Sequence, residues 1–341
     1  MNWTSTAISK LFRINDRYKS RQTLLNAESR KEIPEARREK RGNTEVRVWS
    51  TNQLPEIGKK FGFLTPPKEQ LIISTYTSKG GILKTSISHN ISRVFALNNI
   101  KTLVIGLDIQ LSITESLQPS QTIDSLDDYT SDNSFGLYHY LKNEIPLDKV
   151  IKKTDIPTLD YIPETPELNA LEKLLRHTTR KEYFLLDNLI PHLNTYDVII
   201  FDNSPSWNCL IENALTASNH IISPIGCEIG SYRALMQHLE FIDSFKKAMK
   251  LNWQSKLLIP TLLEKTKISQ QIYGSYLNEY GDLVVPTPIR RSVKGHEASV
   301  LGISVIEHDS SSPLASDYYD MITSLWSNMT KLELQDVSGG N

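Results

Sequence analysis

The sequence predicts an α/β fold in which a mostly parallel sheet lies between layers of helix. Three observations carry this. From residue 68 onward, short apolar runs alternate with amphipathic stretches. The runs are continuously apolar, as strands buried on both faces require. The first of them, Leu71-Ile72-Ile73-Ser74-Thr75-Tyr76, leads through a Gly-Gly turn into a helical pattern of Ile87, Ile91, Val94, Phe95 and Leu97.

Taken in order, strands are expected at 71–76, 102–107, 159–162, 198–201, 220–223 and 256–259. Helices are expected at 134–142, 145–152, 166–177, 181–193, 230–249 and 268–279, so the main domain runs over 68–330. Ahead of it, residues 1–25 set Ile8, Leu11, Phe12, Ile14, Tyr18, Leu24 and Leu25 among Lys10, Arg13, Arg17, Lys19 and Arg21. This draws as a basic amphipathic helix that pairs with another helix or lies along DNA. Residues 26–47 read as a charged helix or linker, making 1–47 an arm. Over 48–67, Ser50-Thr51-Asn52 offers helix N-caps and Ile57 with Phe61 an i,i+4 pair, compatible with a helix-turn-helix. Pro66-Pro67 marks the domain boundary, and 331–341 reads as a flexible tail.

Composition excludes several classes. Hydrophobic residues make up 39% and charged residues 23%, ordinary for a globular chain. No apolar run approaches the roughly 20 residues that span a bilayer, and the N-terminus lacks a signal-peptide core, so a cytoplasmic protein is expected. Cys209 and Cys227 are the only cysteines, too few for a disulfide framework, and no metal-ligand spacing such as CxxC occurs. The net charge of −1 hides an asymmetry: residues 1–66 hold 14 Lys/Arg against 7 Asp/Glu, the remainder 24 against 32. A basic N-terminal segment points to nucleic acid, although a solvated arm has the same composition.

The chemistry concentrates at strand ends, where ligands of parallel sheets bind. Ser78-Lys79-Gly80-Gly81-Ile82-Leu83-Lys84-Thr85 follows the first strand and opens a helix. Glycines let the backbone approach phosphates, the helix N-terminus adds positive potential, and a lysine and a hydroxyl serve the phosphates and Mg²⁺. Lys84 is therefore expected on the β- and γ-phosphates and Thr85 on Mg²⁺, with Lys79 through Ser86 as the nucleotide-binding run. Asp202 ends the strand at 198–201 and is expected to hold Mg²⁺ or its water. Asp108 ends the strand at 102–107 and is expected to orient an attacking water or share the metal shell. A lone Asp at a strand end is commonly a turn residue; two beside a phosphate turn point to Mg-ATP.

These segments resemble the deviant Walker A ATPases of the ParA/MinD family, a branch of the P-loop NTPases. The marks are Lys79 just before the glycines, Leu107-Asp108-Ile109-Gln110 in place of Asp-Pro-Gln, and Tyr196 through Ser206 as the Walker B strand and loop. Asn213 to Ser218, Ile259-Pro260-Thr261, Glu297-Ala298 and Gly302-Ile303-Ser304-Val305 continue the match over roughly 70–328. The larger plasmid-partition ParA type fits best, with residues 1–66 as its N-terminal DNA-binding extension. Leu83 stands where most P-loops have glycine, which predicts a differently shaped turn. Gly106 replaces a common acidic residue two places before Asp108.

The resemblance implies an ATP-sandwich homodimer in which Lys79 reaches the partner's phosphates and acts in catalysis with Asp108. It implies slow ATP hydrolysis stimulated by a ParB-type centromere-binding protein, and nonspecific DNA binding through Arg290, Arg291 and Lys294 and through Lys265 and Lys267. Pro286 would border the adenine, the N-terminal region would repress the protein's own operon, and the protein would sit on the nucleoid rather than a membrane. Two alternatives stand beside this reading: a transcriptional regulator with ATP as structural ligand, and a MinD-like positioning ATPase.

Overall fold

A computed structural model describes residues 1–18, 20, 22–42, 44–118 and 135–330. The chain opens with β1 (Asn2–Thr4), α1 (Ser5–Leu11), α2 (Ile14–Tyr18), α3 (Gln22–Ser29), β2 (Arg37–Arg41), β3 (Thr44–Ser50) and α4 (Leu54–Phe61). Then follow β4 (Leu71–Thr75), α5 (Lys84–Leu97), β5 (Thr102–Leu107), α6 (Ser112–Leu117), α7 (Leu137–Leu141), α8 (Leu147–Val150), β6 (Lys152–Lys153), β7 (Leu159–Ile162), α9 (Leu168–Arg176) and α10 (Phe184–Asn188). The last part holds β8 (Val198–Asn203), α11 (Cys209–Ala217), β9 (His220–Gly226), α12 (Ile229–Ala248), β10 (Ser255–Thr261), α13 (Lys267–Tyr280), α14 (Val293–Val300), α15 (Val305–Asp309) and α16 (Pro313–Thr330).

The main sheet has seven strands in the order β10-β9-β4-β8-β5-β7-β6. All its pairs are parallel except β6 with β7 at the edge. Every residue of β4, β5, β7, β8 and β9 is buried, which is why these strands read as apolar runs rather than alternating ones. Register matters for the site. Asp202 on β8 lies opposite Thr75 of β4 on one side and Gly106 of β5 on the other. The stretch 181–193 is not one helix. It is a 3₁₀ turn (Lys181–Tyr183), α10, and a second 3₁₀ turn (Ile190–His192) that carries a proline in its first turn, where the missing N–H ends the helical ladder.

The N-terminal region differs from expectation. Residues 37–47, expected within a charged helix or linker, and 48–50, expected to open a helix-turn-helix, form the hairpin of β2 and β3, and β1 pairs with β3 to complete a three-stranded antiparallel sheet. Trp49 anchors it, buried, with its indole N–H donating to the Pro34 carbonyl at 2.8 Å. The helix-turn-helix expected over 48–67 is not formed: β3 is followed by a 3₁₀ turn (Thr51–Gln53) and one helix, α4. Gly58 within α4 and Gly62 at its end serve packing. A Cβ on Gly58 would fall 1.8 Å from the Leu97 carbonyl oxygen, and one on Gly62 2.5 Å from Asn98 Oδ1, so α4 lies backbone-close against the end of α5.

Nor is residues 1–47 a free arm. Ile8, Leu11, Phe12, Ile14 and Leu24 are buried in the same apolar cluster as Phe95 of α5 and Tyr319, Ile322 and Trp326 of α16. The Tyr319 hydroxyl donates to the Leu11 carbonyl at 2.6 Å, and the Trp326 indole to the Thr65 carbonyl at 3.1 Å. Helix α16, which the strand-and-helix reading did not separate, is thus the element that joins the N-terminal region to the sheet. Lys19, Arg21, residue 134 and the expected tail at 331–341 lie outside the described residues.

Candidate functional site

The segment between β4 and α5 wraps over the sheet's C-terminal edge. Gly80 and Gly81 are exposed, and a Cβ on either would meet no atom within 4 Å. Gly81 has φ +74°. Among the described residues, the N–H groups of Lys79 to Leu83 donate to no carbonyl or side chain. Unsatisfied N–H groups on a glycine turn beside a helix N-terminus suit an anion.

Leu83 settles the question its sequence position raised. It takes φ +68° and ψ 25°, the left-handed conformation a glycine would supply. The loop therefore keeps a positive-φ residue at its exit despite the missing glycine. Such a conformation costs a non-glycine residue about 1–2 kcal/mol. Leu83 offsets this by packing its partly buried side chain on the main core. Leu83→Gly is expected to preserve nucleotide affinity and to lose only about 1 kcal/mol, since relieved strain opposes lost packing and the added freedom of the unfolded chain. Denaturant melts and ATP-analogue titration check both; a collapse of affinity would show that the side chain itself shapes the site.

Lys84 is 7% exposed, and its ammonium donates to the Lys79 carbonyl at 3.1 Å, inside the turn. Burial holds its pKa below the ordinary lysine value, against the pull of Asp202 and Asp108. Asp202 is fully buried and accepts from the Thr85 hydroxyl at 2.8 Å and the Ser88 hydroxyl at 2.6 Å. Burial pushes its carboxyl up to about 6, opposed by those two hydroxyls and Lys84. Asp108, partly buried, stands at the end of β5, close enough to act on both Lys84 and Asp202. The structure thus brings Lys84, Thr85, Asp108 and Asp202 together as the strand-end rule predicts.

This donor set fits Mg²⁺: a hydroxyl and two carboxylates are hard oxygen ligands. Among the described residues no cluster of three or more His, Cys, Asp or Glu side chains could hold a metal. The ion would therefore come with the phosphates that complete its shell.

Lys79 points elsewhere. Its ammonium pairs with Glu228 and donates to the Ser231 hydroxyl at 3.1 Å, over the start of α12, and its side chain is 32% exposed. Two lysines of one loop therefore face different environments. Ile109 and Ile229, which follow Asp108 and Glu228 in the chain, are each 49% exposed.

Beside the loop's exit lies a cavity of about 220 Å³, lined by Leu83, Ser86, Leu262, Ile289, Arg291 and Tyr318 among others. Pro286 does not line it; its carbonyl accepts from the Tyr273 hydroxyl. Among the basic residues, Arg290 is held at 2.6 and 2.7 Å by both oxygens of Asp317, Arg291 pairs with Glu264 at 2.8 Å, and Lys294 pairs with Asp309. Lys265 and Lys267 are exposed. Arg290 thus ties its loop to α16 while its side chain stays 47% exposed, as open as that of Lys294 at 43%.

Sequence reasoning missed Glu164, Glu228 and Ser88. Glu164 follows the end of β7 by two residues, so the strand-end rule that found Asp108 and Asp202 also reaches it.

Comparison with known proteins agrees with this geometry. The AAA domain family model matches residues 70–259. The sporulation initiation inhibitor protein Soj of Bacillus subtilis is 29% identical over 258 residues, 75% of this chain and 98% of that protein. The chromosome partitioning protein ParA of Myxococcus xanthus is 26% identical, over 72% of this chain and 84% of its own. A putative plasmid partition protein from Borrelia burgdorferi, solved bound to AMPPNP, superposes with a TM-score of 0.62 at 21% identity, over 75% of this chain and 98% of that one. With a glycine turn, two differently directed lysines and strand-end carboxylates in one crevice, the chain belongs to the ParA family of P-loop ATPases.

Proposed function

We propose that the chain is a DNA-partition ATPase that binds Mg-ATP at the loop, dimerises around it, and hydrolyses it slowly until a ParB-type partner intervenes. The observation that carries this is the divergence of the two loop lysines. Lys84 lies inside the turn and serves the nucleotide of its own subunit. Lys79 lies outside it, over the start of α12, where it can exchange Glu228 for the phosphates of a second copy.

In this reading the loop N–H groups and Lys84 bind the β- and γ-phosphates. Thr85 and Asp202 hold the Mg²⁺ shell, which supplies charge neutralisation at the transferring phosphoryl group. Asp108 orients the attacking water, and the cavity beside Ser86 takes the adenosine end. The partner's Lys79 would add charge stabilisation where it develops. The ATP dimer would then hold nonspecific DNA on Lys265, Lys267, Arg291 and Lys294, with the acidic partners of Arg291 and Lys294 exchanged for phosphates, so that binding falls steeply with salt. Names of relatives such as the cell division protein PomZ and the ParA proteins support partition or positioning as the output. Binding of the N-terminal region to its own operator belongs to the same proposal.

Lys79→Ala is expected to keep Mg-ATP affinity, to lose ATP-dependent dimerisation and retention on DNA, and to lower turnover about 100-fold. Sedimentation with a slowly hydrolysed analogue, DNA pull-down and phosphate release measure the three. A Lys79→Ala protein that dimerised and turned over like wild type would end the sandwich reading and favour an ATP-liganded regulator.

A further inference from the structure

Glu164 is 3% exposed, and both of its carboxylate oxygens are engaged. Oε1 accepts from the Asp108 N–H at 3.2 Å, and Oε2 accepts from Ile113 at 3.2 Å and Thr114 at 3.3 Å. Its own N–H donates to the Thr114 hydroxyl at 2.8 Å. One side chain thus closes the whole turn from β5 into α6, the turn that carries Asp108. Three converging donors call for a group that accepts on both oxygens, which a carboxylate does and an amide does not.

Glu164 also fills a particular space. A Cβ on Gly106 would fall 2.3 Å from Glu164 Cγ and 2.7 Å from its Cδ. Gly106 is paired in register with Asp202. The side chain from the end of β7 therefore occupies the volume that any side chain at position 106 would need, next to the strand that bears Asp202. Glycine at 106 and glutamate at 164 are two halves of one arrangement.

We propose that Glu164 is a positioning residue of the nucleotide site, delivering from β7 the carboxylate that β5 lacks at Gly106 and setting Asp108 through the turn it holds. This rests on the Mg-ATP reading above. Burial, with Asp202 and Asp108 nearby, pushes the Glu164 carboxyl up to about 8; its action on Asp108 runs through the turn it holds. Removal of such an outer partner typically costs about 10- to 100-fold in metal affinity or activity.

The full chain should be compared with Glu164→Ala, Glu164→Gln, Gly106→Asp, and Gly106→Asp combined with Glu164→Ala. The readouts are Mg²⁺-dependent binding of a fluorescent ATP analogue, phosphate release, and amide hydrogen exchange over 108–114 without nucleotide. Glu164→Ala is expected to speed exchange at Asp108, Ile113 and Thr114, to raise the Mg²⁺ requirement, and to cut turnover about 10- to 100-fold. Glu164→Gln keeps the volume but turns an amide N–H2 toward at least one of the three N–H donors, so it should lower the melting point modestly and shift the Mg²⁺ requirement in the same direction. Gly106→Asp alone is impaired by the overlap. In the double variant the aspartate takes the vacated space, with the Ile113 Cγ2 methyl, 2.7 Å from the new Cβ, rotating aside, and turnover recovers toward wild type. Should Glu164→Ala not fold, Glu164→Gln and the double variant carry the same test. Unchanged Mg²⁺ dependence in Glu164→Gln, or a double variant no better than Glu164→Ala, overturns the assignment while leaving Mg-ATP binding by the wild type intact. A wild type that binds no Mg-ATP overturns both.

Discussion

Lys84→Ala is expected to weaken Mg-ATP binding by about 100-fold or more, the largest functional effect of any single change at the site. The ammonium is nearly buried and anchored on the Lys79 carbonyl, so its orientation is set before a ligand arrives. Without it, phosphate charge would enter a crevice already holding Asp202 and Asp108, with only backbone dipoles to oppose it. The folded state should barely notice the loss in the absence of nucleotide, because burial already disfavours the charged lysine. Calorimetric titration should therefore show lost affinity alongside an almost unchanged melting curve. Affinity within about threefold of wild type would remove Lys84 from the phosphate site. The contrast with Lys79→Ala, which should bind and fail to dimerise, separates the two lysines experimentally.

Arg93→Ala is expected to cost about 3–5 kcal/mol of stability, enough to threaten the fold. Arg93 is 1% exposed in the middle of α5. Its guanidinium bonds both oxygens of Glu307 on α15, at 2.7 and 2.8 Å, and both oxygens of Asp155 before β7, at 2.9 and 3.1 Å. Glu307 is itself 6% exposed and also accepts from the Ser304 N–H and hydroxyl. Truncating the arginine strands that carboxylate in the core, where an unpaired charge is far costlier than a missing pair. Arg93→Met with Glu307→Leu should be much milder than Arg93→Ala, because the one carboxylate left unpaired, Asp155, is 37% exposed and stays solvated. Equilibrium denaturation measures both. If Arg93→Ala melts like wild type, the brace between the nucleotide helix and the C-terminal helices is not a stabilising one.

The main sheet was legible because its strands are buried on both faces, and such strands are the sequence's least ambiguous signal. The loop and its two carboxylates followed, since a strand end in a parallel sheet is a predictable place. The strand at 37–41 is not legible, because Arg37, Arg38, Glu39, Lys40 and Arg41 have four exposed positions and only one partly buried, leaving no hydrophobic period to see. The lack of a side chain at Gly58 and Gly62 serves a helix contact with Leu97 and Asn98 that local sequence cannot reveal.

By itself, then, the sequence determined the α/β sheet, the Gly-Gly turn after its first strand and the grouping of Lys84, Thr85, Asp108 and Asp202 at one edge of that sheet, because each follows from residues adjacent in the chain. Only the tertiary structure decided which way Lys79 points, that Leu83 accepts a left-handed backbone, that α16 draws the N-terminal region onto the sheet, and that Glu164 stands in the space above Gly106. Each of these depends on a partner many residues distant, and a contact between separated segments is settled by packing, not by local pattern.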